Sequence, residues 1–523
     1  MRKKAIAFYI GMLLGLILIF TNFTPLRLLD RAEQGILSLA PQLMPNPAPQ
    51  VIPSLHEWQG STGFFTLRSV SRIAVDPSYT AQLGNTAKVF QNDLFAVTRH
   101  TLPVVTTVSP VPGDFFLTLH TTDPSIGSEG YLFQVDEAVV IDAHTSTGIF
   151  YGTRTALQIL LQDPAKTHIP KGIARDYPQY AERGFMLDVG RKFFSISFLE
   201  DYVKFMAWYK MNDFHLHFND NEIGGGDSPD WMHKFAAFRL NSPRFPGLAA
   251  RDGSYTRQDI RALQDVARAY AVTITPEIDA PAHDLAFTQY RPDLASQNSS
   301  KEFLDLNNPA TYTFMNGIWD EFLPWFDSKQ VDIGADEYPP NDADKYRQFV
   351  NIYDAYLRSK GKTIRMWGSL TKMQSNIRVN TNIVIDDWNN GWANPMDMVH
   401  QGYPIINAND NLLYIVPKAG YYHDYLDTQM LYEHWEPYMF SLSDPSLNVQ
   451  PGDPHLLGGM FSEWNDKLGS MISDADVHAR VKPAMQTLSQ KLWSGTAMDM
   501  SYSQFLQLAQ TIGEAPDTHL PQT

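Results

Sequence analysis

The 523-residue chain has no cysteine. That excludes disulfides, thiolate metal sites, a cysteine nucleophile and a cysteine-borne lipid anchor. It leaves the compartment open, because many exported proteins also do without disulfides. Basic residues are also scarce: 41 Lys and Arg stand against 57 Asp and Glu, a net charge of -16. A protein that grips a duplex needs a basic surplus, so nucleic acid is not an expected partner. The acidic excess reads first as solubility. No Gly-rich phosphate loop follows any expected strand, which weakens a doubly wound nucleotide-binding sheet as the fold. What is present is an ordinary globular balance, 44% hydrophobic and 19% charged, which excludes a largely disordered chain. At roughly 100–200 residues per domain the length allows two to four domains, or fewer if one is a large barrel.

The N-terminus reads Met1-Arg2-Lys3-Lys4 and continues in an apolar run from Ala5 to Phe20. A spanning helix needs about twenty residues, and no small-x-small cleavage site follows directly. The preferred reading of residues 1–24 is an uncleaved signal anchor, with a cleaved signal peptide as the alternative. Basic residues stay on the cytoplasmic side. The remainder is then expected on the extracellular face of the membrane, or secreted. Residues 25–50 form a Pro-rich linker, extended and unpacked.

Residues 51–178 read as a small α+β domain. Its β-rich runs fall at 72–75, 115–119, 131–135 and 138–141, and a helix that begins near Thr147 is ended by Asp163-Pro164. Across 179–500, short apolar runs alternate with longer amphipathic stretches. Strands are expected at 184–189, 213–218, 272–278, 330–334, 363–367, 383–386, 404–407 and 456–461. Helices are expected over 256–270, 344–359 and 474–492. Another is expected to open at Ser197-Phe198-Leu199-Glu200, which has the form of a capping box. Eight strand–helix units imply a (β/α)8 TIM barrel. Residues 501–523 are left as a C-terminal tail.

Such a barrel carries its active site at the C-terminal ends of its strands. Here those ends offer Asp188 with Arg191, His215 to Glu222, Glu277 to His283, and Asp336-Glu337. They continue with Trp367, Asp386-Asp387-Trp388, Tyr414, and Glu463-Trp464-Asn465-Asp466. Carboxylates, imidazoles and indoles round one mouth suit the binding and hydrolysis of a polyhydroxylated ligand. Asp336-Glu337 ends an apolar strand after a glycine, where neighbouring carboxylates can be held at different pKa values. Glu200-Asp201 and Asp320-Glu321 read instead as solvated helix pairs. His215 and His217 point to one side of a strand. With His283 and Asp336 they could form a metal hydrolase site, although hydrogen-bonded core histidines are the plainer reading. Trp is usually core; Trp367, Trp388 and Trp464 stand out because each falls at a strand end.

In their order these motifs resemble glycoside hydrolase family twenty, the β-N-acetylhexosaminidases. The resemblance rests on Arg183-Gly184 through Asp188 to Arg191, on Lys210-Met211-Asn212 with His215 to Asp220, on Pro276 to His283, and on Gly334 to Glu337. Glu129-Gly130-Tyr131 through Tyr151-Gly152 is similar to the small domain that precedes the barrel in that family. The resemblance implies substrate-assisted, retaining removal of terminal GlcNAc or GalNAc. Glu337 would be the general acid and then base, with a pKa high enough to keep it protonated. Asp336 would hold the acetamido N–H, and Tyr414 would donate to the acetamido oxygen. Arg183 would hold sugar hydroxyls, Trp367, Trp388 and Trp464 would wall the sugar pocket, and His283 would support the acid. Asp220 and Asp466 fall at further substrate-binding positions. No metal or organic cofactor is implied; the implied partner is an N-acetylhexosamine-containing glycan. The sequence departs from the family at four places. Ala282 replaces a glycine, and Asp220-Asn221-Glu222-Ile223-Gly224 lacks the usual Trp. Val416 stands where an acidic residue is common, and Asp466 where Glu is common. These departures leave lacto-N-biosidase-like or poly-N-acetylglucosamine-hydrolysing activity, or a non-catalytic glycan-binding role, as alternatives.

Overall fold

The computed structural model describes residues 44–469, 471–495 and 500–521. The expected anchor over 1–24 and most of the linker lie outside them. Among the described residues no helix is long and apolar enough to cross a membrane.

The small domain is a seven-stranded mixed sheet with two helices. Its strands run in the spatial order Glu57–Thr66, His168–Asp176, Tyr131–Val135, Val139–Ala143, Phe115–Thr118, Ile73–Val75 and Val104–Thr106. Alternation makes them strands: Tyr131, Phe133 and Val135 are buried on one face. Helix Ser146–Gln162 opens where the Thr145 hydroxyl accepts from Gly148 N and ends at Asp163. It is buried along its whole middle, because it lies between the sheet and the barrel. Tyr151 packs edge-on against Trp493, and Gln158 donates to the Trp208 carbonyl. The helix Thr80–Thr98 and the strands Glu57–Thr66, Val104–Thr106 and His168–Asp176 are additions to the sequence reading. The helix has no side-chain cap at Tyr79, so its start carries no local signal.

Eight parallel strands then close a barrel: Glu182–Asp188, Asp213–His217, Thr273–Glu277, Gln330–Asp332, Thr363–Trp367, Val384–Asp387, Ile405–Asn407 and Leu456–Glu463. We number them one to eight. Strand eight pairs with both strand seven and strand one, which closes the circle. Phe185, Leu187, Phe214, Leu216, Ile364 and Ile385 pack outward in the main hydrophobic core. The alternate positions face inward, and many are charged. Arg365, fully buried, donates to Asp386 at 2.6 Å and to Asp213 at 2.7 Å.

Two local expectations are corrected. The first barrel helix, Ile196–Trp208, is capped by Ser195, whose hydroxyl accepts from Phe198 N; Ser197 and Glu200 lie inside it and form no capping box. True boxes occur at Thr256/Asp259, Ser473/Asp476 and Ser501/Gln504. The last opens a helix, Tyr502–Ile512, in the expected tail. That helix buries Phe505, Leu508, Ala509 and Ile512, and Gln486 of the helix Asp474–Trp493 donates to its Ala509 carbonyl.

Candidate active site

Strand four ends at Asp332, and the chain then turns through a run of left-handed backbone: φ is +69° at Gly334, +65° at Ala335 and +46° at Glu337. A Cβ on Gly334 would lie 1.7 Å from Asp279 Oδ1, so glycine is required there for room as well as for φ. His283, facing this turn, is also left-handed at +55°. Non-glycine residues in that region cost about 1–3 kcal/mol each and gather at functional sites. The turn carries Asp336 and Glu337 to a cavity of about 430 Å³ at the barrel mouth.

One side of the cavity is aromatic. Tyr414 stacks on Trp388 with ring centroids 6.3 Å apart and planes 9° apart, and it meets Trp464 at 5.6 Å. Trp464 Nε1 is buried without a protein partner, so this donor is free for a ligand. Burial, and then the charges of Asp410 and Asp336, push the Tyr414 hydroxyl well above its usual range and keep it a donor. Trp367, expected in the wall, stands one layer behind. It is fully buried, packs edge-on to Tyr414 and against Trp464, and donates from Nε1 to Glu277 Oε1 at 2.8 Å.

The other side is charged. Asp336 Oδ1 is buried and has no partner. Burial, reinforced by Glu337, raises the Asp336 carboxyl to about 6 against the pull of His283. Glu337 is half-exposed and lies 3.4 Å from His283 Nε2, an ion contact without an aligned hydrogen bond. That contact holds Glu337 below its usual range. The expected order is therefore reversed in the open mouth, because Asp336 is dry while Glu337 is still wet and beside a cation. A ligand that covers Glu337 removes its water and raises it. Burial disfavours the charged form of His283, but Asp220 and Asp336 outweigh that and keep it an imidazolium. Behind it, His283 Nδ1 lies 3.2 Å from Asp220 Oδ1. Asp220 Oδ2 bonds His217 Nε2 at 2.8 Å and pairs with Arg191 Nη1 at 2.7 Å. Arg191 also reaches Asp188 at 3.1 Å and Asp466 at 3.4 Å. Asp466 accepts from the Tyr421 hydroxyl.

Asp220, His283, Trp388, Trp464, Asp466, Asp336, Glu337 and Tyr414 therefore converge on one cavity. Arg183 does not. It sits at the N-terminal end of strand one, fully buried, with both ends of its guanidinium on Glu129 at 2.9 and 3.0 Å and further bonds to the Lys210 and Tyr180 carbonyls. Arg191 lines the cavity in its stead. The signal was its position, just past the C-terminal end of the same strand. Tyr421 and Tyr422 also line the mouth from an irregular loop, and nothing in the local pattern marks them. Three groupings of the described residues are compact enough to ligate a metal ion: His215–Asp332–Asp386, His217–Glu277–Asp279 and Asp279–His283–Asp336. In the first two the imidazole is already engaged by Glu277 within the core.

Fold and mouth together define a barrel of the glycoside-hydrolase type, with an acid pair at the end of strand four and an aromatic box across from it. The family model "Glycosyl hydrolase family 20, catalytic domain" matches residues 180–348 and 341–496, and the family's domain 2 matches 48–177. The chain belongs to glycosyl hydrolase family 20. It is 26% identical over 496 residues to a lacto-N-biosidase of Bifidobacterium bifidum, covering 89% of this chain and 41% of that protein. It is 25% identical over 412 residues to β-hexosaminidase subunit A2 of Dictyostelium discoideum, covering 72% of this chain and 70% of that one. A mutant Streptomyces plicatus β-hexosaminidase in complex with product GlcNAc shares the fold, with a TM-score of 0.74 at 21% identity over 92% of this chain and 98% of that one.

Proposed function

We propose that this protein is a retaining β-N-acetylhexosaminidase that removes terminal β-linked N-acetylhexosamine from glycans by substrate-assisted catalysis. The observation that carries the reading is Asp336: a buried, unpartnered carboxylate oxygen at the cavity, next to a second carboxyl that a ligand would dry. The acetamido oxygen of the bound sugar attacks C1 as the bond to the leaving oxygen breaks, and Glu337 delivers its proton to that oxygen. Asp336 accepts the acetamido N–H and stabilises the positive charge that develops on the oxazolinium ring. Tyr414, held as a donor, orients the acetamido oxygen. Glu337, now a carboxylate, takes a proton from water, which attacks C1 and restores the acetamido group. Net retention follows from two displacements on opposite faces.

A second reading, release of a disaccharide such as lacto-N-biose, is favoured by Val416. This apolar residue lines the same cavity as Arg191 and Asp466, and its side chain offers no hydrogen bond to a terminal sugar hydroxyl. The lacto-N-biosidase likeness over 89% of the chain supports it.

The test is turnover of aryl β-GlcNAc, aryl β-GalNAc and aryl lacto-N-bioside by the full chain, with and without EDTA. The first reading expects cleavage of the monosaccharides that EDTA leaves unaffected. Cleavage of the lacto-N-bioside alone would favour the second. Loss with EDTA would move the reaction to a metal at Asp279–His283–Asp336. Tight glycan binding with no turnover of any substrate would make the protein a lectin.

A further inference from the structure

Glu277 ends strand three below the mouth, fully buried and out of reach of the cavity. Both of its oxygens are in use. Oε1 accepts from Trp367 Nε1 at 2.8 Å. Oε2 lies 2.8 Å from His215 Nε2 and 2.8 Å from His217 Nδ1, the latter an ion contact off the line of an N–H. Two routes lead up from these contacts. Through Trp367 the carboxylate reaches the rings of Tyr414 and Trp464. Through His217 it reaches Asp220, then His283, then Glu337.

We propose that Glu277 is a positioning residue that sets both sides of the mouth at once: the aromatic box through Trp367, and the chain behind the general acid through His217. The inference rests on the hexosaminidase reading for its kinetic consequences, but the contact between Glu277 and His217 does not.

The charged groups around this pair make the assignment specific. His217 faces Glu277 and Asp220, with Asp279 and Asp336 beyond. Glu277 faces His215, His217 and, from strand four, Asp332; His215 Nδ1 is 3.9 Å from Asp386, which Arg365 of strand five engages. Burial and the neighbouring carboxylates push Asp279 and Asp332 well above the usual range, which favours their neutral forms. Glu277 and Asp220 are thus the two anions that hold His217 as an imidazolium, against the burial that opposes its charge. That cation pulls Asp336 toward ionisation, while the charge of Glu277 itself pushes the other way and more strongly.

The test combines histidine-ring NMR with pH profiles on the full-length protein; the His217 resonance is assigned by its loss in His217→Gln. Glu277→Gln keeps the shape and an acceptor for Trp367 but removes the charge. In this variant His217 should titrate at lower pH than in the wild type. Loss of the Glu277 charge removes a repulsion of Asp336 that outweighs the pull of His217, so the acidic limb of kcat/KM should move down from about 6, and kcat should fall at least about tenfold while KM changes little. Trp367→Phe removes the indole N–H and one ring of the bicycle but no charge. It should change KM and leave both the limb and the His217 titration in place. The proposal is overturned if Glu277→Gln leaves the His217 titration and the limb where the wild type has them, even if activity falls. If the wild type turns over no aryl glycoside, the hexosaminidase reading fails, and the NMR arm still decides whether Glu277 sets His217. If Glu277→Gln does not fold, Trp367→Phe and His217→Gln remove its two partners one at a time. Separable effects on KM and on the limb support the proposal; identical effects overturn it.

Discussion

Arg183 and Arg191 flank the same barrel strand, and both guanidinium groups are out of water. At the base, Arg183 spends its hydrogen bonds on the fold: Glu129 of the small domain, three backbone carbonyls and the Tyr151 hydroxyl, with its guanidinium over the rings of Tyr151 and Trp493. At the mouth, Arg191 sits among Asp188, Asp220 and Asp466, two of which line the cavity. The same residue type, equally buried, does structural work at one end and lines the cavity at the other. Direction along a barrel strand, more than residue type or motif, separates the two.

The sharpest way to separate mouth from base is Glu337→Gln. It should cut kcat by roughly 10²–10⁴, the usual worth of a general acid, and leave the thermal melt in place, since Glu337 is half-exposed. At the base the pattern should invert. Arg183→Met strands Glu129 and breaks a buried pair, so denaturant titration should show a loss of about 3–5 kcal/mol. Activity per folded molecule should hold; a tenfold fall would mean that base and mouth are coupled and would break the comparison. Arg191→Lys keeps the charge but loses the guanidinium that meets Asp188, Asp220 and Asp466 through Nη1 while its Nε donates to the Asn221 carbonyl. We expect kcat/KM to drop about ten- to a hundredfold, in line with one or two lost charged hydrogen bonds. The smallest effect is one of pH. Asp336 is raised to about 6, so it is ionised above that value and protonated below. As pH falls through about 6 its acceptor charge disappears, and kcat/KM should decline toward tenfold per unit. Asp336→Asn should be slow at every pH and lack that limb.

Much of this was legible in the chain. The eight barrel strands could be placed within a residue or two because their outward positions are mostly apolar and turn residues separate them. The acid pair could be placed because Gly334 precedes it at a strand end. What was not legible depends on where a side chain goes. Arg183 and Arg191 share one motif, and only the barrel's polarity tells them apart. Trp367 falls at a strand end like Trp388, yet Glu277 draws its indole back from the cavity. The pKa order of Asp336 and Glu337 depends on which carboxyl water reaches, and no spacing encodes that. Helix Thr80–Thr98 lacks a start signal, whereas the tail helix carries one in Ser501-x-x-Gln504.

The charges at the barrel base also bear on how such a protein can be recombined. Two separate family models divide the chain near residue 178, but its ion pairs ignore that division. Lys210 of the barrel is locked to Asp176 at 2.9 Å and to the Tyr131 hydroxyl, while Trp493 of the closing helix donates to the same Asp176 and Arg183 holds Glu129. A chimera whose new barrel lacked Lys210 or Arg183 would bury Asp176 or Glu129 without its counter-ion. Exchange at that junction therefore depends on matched partners, and shuffling libraries built there should yield folded protein only where Glu129 and Asp176 meet an arginine and a lysine across it.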